Sequence, residues 1–121
     1  MSGPVMNSPG LNSPVMNSSV AIVPTANGSR YLQQLLKHWS HNFTVTVTPA
    51  HGTVLFPRDI RGADYPADAR GTFDAGAEAL TVKIDASSPE QLAALKGAIS
   101  THLDRFAFRE APLPFDWRDS G

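Results

Sequence analysis

The chain has no cysteine in 121 residues. That excludes a disulfide framework, thiolate metal ligands and a cysteine nucleophile. It also lacks a surplus of either charge: 10 Lys and Arg stand against 11 Asp and Glu, a formal net charge of −1. Nucleic-acid binders draw much of their affinity from neutralising phosphates with a basic excess, so that class is set aside. No apolar run approaches the ~18 residues needed to span a bilayer. The N-terminus shows neither the basic segment nor the continuous apolar stretch of a secretory signal, and a cytoplasmic protein is the expectation. GxGxxG, Walker and GxSxG motifs are missing too, which leaves nucleotide-fold and serine-hydrolase chemistry without support.

Aromatic and ionisable side chains are absent from residues 1–19, where MSGPVMNSPGLNSPVMNSS repeats the pentapeptide PVMNS at Pro4–Ser8 and Pro14–Ser18. Such a segment has too little apolar surface to offset its ordering entropy. It is predicted to be a disordered tail. Residues 20–118 form a single predicted domain and 119–121 a C-terminal tail. The length suits one domain with a core that needs no metal or disulfide staple.

Within the domain, Val20–Pro24 reads as a short strand, ended by a proline that suits an edge position. Asn27 or Ser29 can cap a helix over Ser29–Ser40, with Leu32, Leu35, Leu36 and Trp39 at helical spacing as its buried stripe. FTVTVT follows with period-two alternation, placing Phe43, Val45 and Val47 on the core. The turn Pro49–Gly52 leads into a returning strand, Thr53–Phe56. After a loop over Pro57–Arg70, GTFDA and LTVKIDA form a second hairpin about Gly76–Glu78, with Leu80, Val82 and Ile84 facing inward. A second helix opens with Ser88 as N-cap, Pro89 at its first position and Gln91 completing a capping box. Its stripe is Leu92, Leu95, Ile99, Leu103 and Phe106, and Gly97 inside it is expected to mark close packing against a neighbour. Leu113, Phe115 and Trp117 alternate with polar residues as a last strand.

The order β-α-β-β-β-β-α-β predicts an α+β domain: a mostly antiparallel, curved sheet with both helices on one face, of the TATA-binding-protein-like or helix-grip type. That comparison concerns architecture alone and implies no DNA binding.

Two segments together, SRYLQQLLKHWSHNF at Ser29–Phe43 and HLDRFAFRE at His102–Glu110, resemble the bacterial domain-of-unknown-function family 2218 (DUF2218). The likeness extends over roughly Ser19 to Arg118, and HGTVLFP and LTVKIDA fit the same pattern. The family brings no established activity. Some of its members occur in association with siderophore-interacting flavin reductases, so the resemblance implies a link to iron handling. Members often carry a cysteine in the first helix where this chain has Leu36, which removes a thiol-dependent role.

Two sets of residues are candidates for chemistry. Arg30, Tyr31, Lys37, His38 and Trp39 from the first helix, with Arg105 and Arg109 from the DRFAFRE segment, form a cationic and aromatic set suited to an anionic small molecule or an iron chelate. In the plainer alternative, Asp104, Arg105, Arg109 and Glu110 pair with one another as ordinary ion pairs. His38 and His41, at i and i+3, could share a metal ion with His102 if the helices lie side by side. Against that, KHWSH contains no carboxylate, there is no HExxH, and His102 could simply hydrogen-bond a backbone carbonyl. No cofactor is otherwise expected. His51 is placed in a solvated turn. Competing readings are a histidine-based metalloenzyme and a homodimeric interaction module that pairs through a sheet edge or the threonine-rich face.

Overall fold

The structure, a computed structural model, describes residues 17–120. The elements run β1 (Asn17–Pro24), α1 (Gly28–Trp39), β2 (Thr44–Val47), β3 (His51–Phe56), a 3-10 turn (Ile60–Gly62), β4 (Ala69–Ala75), β5 (Ala79–Ala86), α2 (Pro89–Phe106) and β6 (Arg118–Ser120). The strands form one antiparallel six-stranded sheet in the order β2-β3-β4-β5-β1-β6. This is the α+β arrangement that the alternation of patterns predicts.

Each strand sends alternate residues to one face. Ala21 and Val23 of β1, Val54 and Phe56 of β3, Phe73 of β4, and Leu80, Val82 and Ile84 of β5 are all buried on it. Both helices cover this face: α1 packs across β2 to β5, and α2 packs on β5 and β1. The helices contribute Leu32, Leu35, Leu36, Leu92, Leu95, Ile99 and Leu103 to the same core. The opposite face carries Thr81, Lys83, Arg70, Thr72 and Asp74 towards water. Period-two strands and amphipathic helices thus share one apolar layer.

Several local expectations change. Sheet pairing takes in residues that composition assigned to the tails. Asn17–Ser19 pair with Ala86, Asp85 and Ile84, and the Ser18 hydroxyl donates to Asp85 at 2.6 Å. Asp119 and Ser120 pair with Ser19 and Ser18. The expectation for residues 1–16 lies outside the described residues. β1 is an inner strand rather than an edge, but β6 covers only Ser18–Val20, so Pro24 still has no partner on that side. The last strand begins at Arg118. Leu113 is buried and the Phe115 and Trp117 rings stack 5.5 Å apart, so their alternation reflects packing, not a ladder. Prolines 112 and 114 remove the amide donors a ladder there would need.

Val47, the last residue of the edge strand β2, is 44% exposed, whereas Phe43 and Val45 do pack on the core. In α2 the Ser88 hydroxyl accepts the Gln91 amide at 3.1 Å, as a cap should. The Gln91 side chain does not return to Ser88. It is buried, accepts the Ser87 amide at 2.6 Å and donates to the Ala67 carbonyl at 3.0 Å. It therefore ties the end of the long loop to the start of α2. Gly97 is also unlike its expectation: a Cβ built there meets nothing within 4 Å. The close approach is at Gly52 instead, where a Cβ would overlap Leu36 Cδ1.

Candidate functional site: the face between the two helices

Tyr31, Gln34 and His38 follow one another on the side of α1 nearest α2. The two helices run antiparallel, since His38 meets His102 and Phe106 while the start of α1 meets the turn after α2. Two concavities open on this face.

The first lies between the N-terminal turn of α1 and the segment after α2. It measures about 440 Å³ and is lined by Arg30, Tyr31, Phe106, Phe108, Arg109 and Glu110, among others. Its geometry is set by Glu110. That carboxylate accepts the Thr25 hydroxyl at 2.9 Å, the Asn27 side-chain amide at 3.1 Å and the Tyr31 hydroxyl. Thr25 in turn accepts the Asn27 amide at 3.1 Å. The Tyr31 bond, then those of Asn27 and Thr25, hold the Glu110 carboxyl below its ordinary value of 4.5. The same bond, with burial, raises the Tyr31 hydroxyl above 10.0, against the pull of Arg30.

The first turn of α1 contains no acidic residue and the Asn27 side chain makes no cap bond to it. Glu110 places a negative charge at that helix end from the far end of the chain. Sequence reasoning offered Glu110 only as an arginine partner. Asn27, read from the sequence as a helix cap, spends its side-chain amide on Glu110 instead.

The two arginines of the first concavity are differently placed. The Arg30 guanidinium carbon lies 5.6 Å from the Tyr31 ring and that of Arg109 lies 5.7 Å from the Phe108 ring. Neither forms an ion pair among the described residues. The pairs expected among Asp104, Arg105, Arg109 and Glu110 are not formed: Asp104 instead accepts the Leu113 amide at 2.9 Å, and Glu110 is held by neutral donors. Two arginines and one glutamate leave one uncompensated positive charge.

Of the other candidates, Lys37 and Arg105 are exposed and do not line this concavity. The histidines are only partly gathered. His38 and His102 ring centres lie 6.0 Å apart, but α1 ends at Trp39, so His41 falls in the following turn and leaves the shared face. The His102 Nδ1 lies 2.7 Å from the Ala98 carbonyl and so carries the proton of that bond. Among the described residues no three His, Cys, Asp or Glu side chains come together in a way that could hold a metal ion. His51 is exposed and its Nδ1 lies 2.6 Å from Asp74 across the β3–β4 pair.

The second concavity is a groove of about 700 Å³ between α2 and the segment that follows β3. Trp39, Phe43 and Phe56 line it, together with small residues of α2 and Arg61. The sequence placed Trp39 both in the core stripe and in the set with Arg30 and Arg109, Phe43 on the core, and Phe56 at the end of a strand; the structure puts all three on this groove instead of the first concavity.

Among the described residues no helix is long and apolar enough to cross a membrane. No curated protein matches the chain. A solved structure, the NMR structure of PA4090 from Pseudomonas aeruginosa, is similar with a TM-score of 0.64 at 24% identity, covering 86% of this chain and 96% of that one. At that identity the likeness is one of fold. The family model described as an uncharacterised protein conserved in bacteria, DUF2218, matches residues 20–118, and the chain belongs to that family.

Proposed function

We propose that this domain binds a small anionic molecule, with Arg30 and Arg109 as the groups that recognise it. The observation that carries this reading is their convergence. Arg30 and Arg109, from opposite ends of the domain, line one concavity with no salt bridge among the described residues, while the one carboxylate beside them takes its hydrogen bonds from three neutral donors and feels the Arg30 charge as well. Guanidiniums present paired donors that fit a carboxylate or phosphate. Phe106 and Phe108 add apolar contact for the body of the ligand. Open concavities favour modest affinity that falls with salt.

The link to iron handling that the family resemblance implies makes an anionic iron chelate the first ligand class to try. Calorimetric titration of the full chain with inorganic phosphate, citrate and ferric citrate tests the reading. Binding by at least one of them that weakens by roughly tenfold in Arg109→Gln, equivalent to ~1.4 kcal/mol, is the expected result. Equal affinity in that variant, or no binding by any of the three at low salt, rejects it.

A further inference from the structure

We infer that the groove between α2 and the segment after β3 is a second binding site, for a flat aromatic molecule bearing one anionic group. The floor is aromatic and fixed. Trp39 and Phe56 ring centres lie 5.2 Å apart, Phe43 and Phe56 5.5 Å, and Trp39 and Phe43 6.2 Å, in edge-to-face contacts. The array is a rigid apolar surface in which Phe43 is partly buried and Trp39 and Phe56 are 5% and 2% exposed.

One wall is the exposed side of α2. Gly97 is central to it, and the space where its side chain would stand is empty to 4 Å. A larger residue would close the groove; the glycine costs helix stability and keeps it open. The other wall is built before any ligand arrives. The Tyr65 amide donates to the Arg58 carbonyl at 3.0 Å, the Arg58 Nε donates back to the Tyr65 carbonyl at 2.9 Å, and Gln91 anchors Ala67 just beyond. The volume falls in the range of preformed small-molecule sites.

Four polar side chains line the groove: Tyr65 and Thr101, which carry hydroxyls, and two nitrogen-bearing groups. Arg61 lines it, no acidic residue does, and Arg61 forms no ion pair among the described residues. Its backbone is left-handed, at φ 54°, an uncommon place for a side chain other than glycine or asparagine. His102 is the other: with Nδ1 donating to Ala98, a neutral ring has Nε2 left as an acceptor. A cation beside an aromatic floor, with no opposing charge, selects an aromatic anion. The groove shares no lining residue with the Arg30 and Arg109 concavity, and His38 and Phe106 stand between the two.

The test uses 2-naphthoate and its neutral counterpart 2-naphthamide, titrated into the full chain carrying Trp117→Phe, so that Trp39 alone reports by fluorescence. Both probes should quench Trp39, with naphthoate the tighter. In Gly97→Leu, naphthoate affinity should fall by at least about tenfold with an unchanged circular dichroism spectrum. In Arg61→Gly, whose backbone suits glycine, naphthoate should weaken by roughly tenfold and naphthamide should not change. Arg30→Gln with Arg109→Gln should leave naphthoate binding intact, which separates this site from the first. Full naphthoate affinity in Gly97→Leu, loss of it in the Arg30 and Arg109 variant, or equal weakening of both probes in Arg61→Gly would each overturn the assignment.

Discussion

Replacing Gly97 with alanine should make the protein more stable. Gly97 sits in the middle of α2, an 18-residue helix, on its exposed side. Glycine in a helix interior is about 0.8–1.0 kcal/mol less favourable than alanine, because its unfolded backbone has more freedom to lose. Apart from the helix's own neighbouring backbone, the added methyl meets nothing within 4 Å, so no packed neighbour opposes that gain. The expected change is therefore close to the full ~0.8–1.0 kcal/mol. For a folded region of this size, ~1 kcal/mol corresponds to a rise in Tm of roughly 4–8 °C. Thermal unfolding followed by far-ultraviolet circular dichroism measures it. If Gly97 marked a close contact between elements, as its place in the helix suggests, the methyl would overpack and cost ~1–3 kcal/mol. Open space and close contact thus predict opposite signs, and a Tm at or below that of the parent chain refutes open space at Gly97.

Three further outcomes follow from the same geometry. Gly52→Ala should destabilise by about 1–3 kcal/mol in urea unfolding, because its Cβ would overlap Leu36 Cδ1 on one side and lie 3.1 Å from the Thr46 carbonyl on the other. Gln91→Leu should lower stability by ~1–3 kcal/mol, since it strands the buried Ser87 amide, while the Ala67 carbonyl keeps the Ser87 hydroxyl at 2.9 Å; unchanged stability would mean that the Ser87 bond does not matter. Glu110 supplies a pH dependence. Its carboxyl is held below 4.5 in the folded state, so its contribution is present above that value and is lost as pH falls through the lowered one. Glu110→Gln should flatten the acid limb of a stability–pH curve and, by removing the one negative charge beside Arg30 and Arg109, tighten anion binding; an identical acid limb contradicts the assignment.

How far the sequence revealed the fold depends on where periodicity and chemistry agreed. In α2, Ser88 and Pro89 mark the start and Leu92, Leu95, Ile99 and Leu103 form the buried face, as capping chemistry and helical spacing require. The strand pairs also followed, because period two on LTVKIDA fixes which face meets the helices. Phe115 and Trp117 misled because alternation alone does not distinguish a ladder from two stacked rings. Gly97 misled because a missing side chain looks the same in sequence whether the space is filled by a neighbour or left empty.

The site was legible only in part. Arg30 and Tyr31 of α1 share a concavity with Arg109, which lies in the turn after α2. Lys37 and Arg105 do not join them, and His41 is lost because the helix stops two residues earlier. Glu110 could not be placed from spacing, since its partners at Thr25, Asn27 and Tyr31 are about eighty residues away in sequence. The aromatic groove was hidden for another reason. Trp39 and Phe56 are almost wholly buried, and a ring can be core on one side and the floor of a groove on the other.

The most direct test of the proposed function is a two-dimensional amide NMR titration of the full chain with citrate and ferric citrate at low salt. Saturable shifts confined to Arg30, Tyr31, Arg109, Glu110 and their neighbours, abolished in Arg30→Gln with Arg109→Gln, are the predicted result. Shifts scattered over the surface, or shifts that persist unchanged in that double variant, would contradict it.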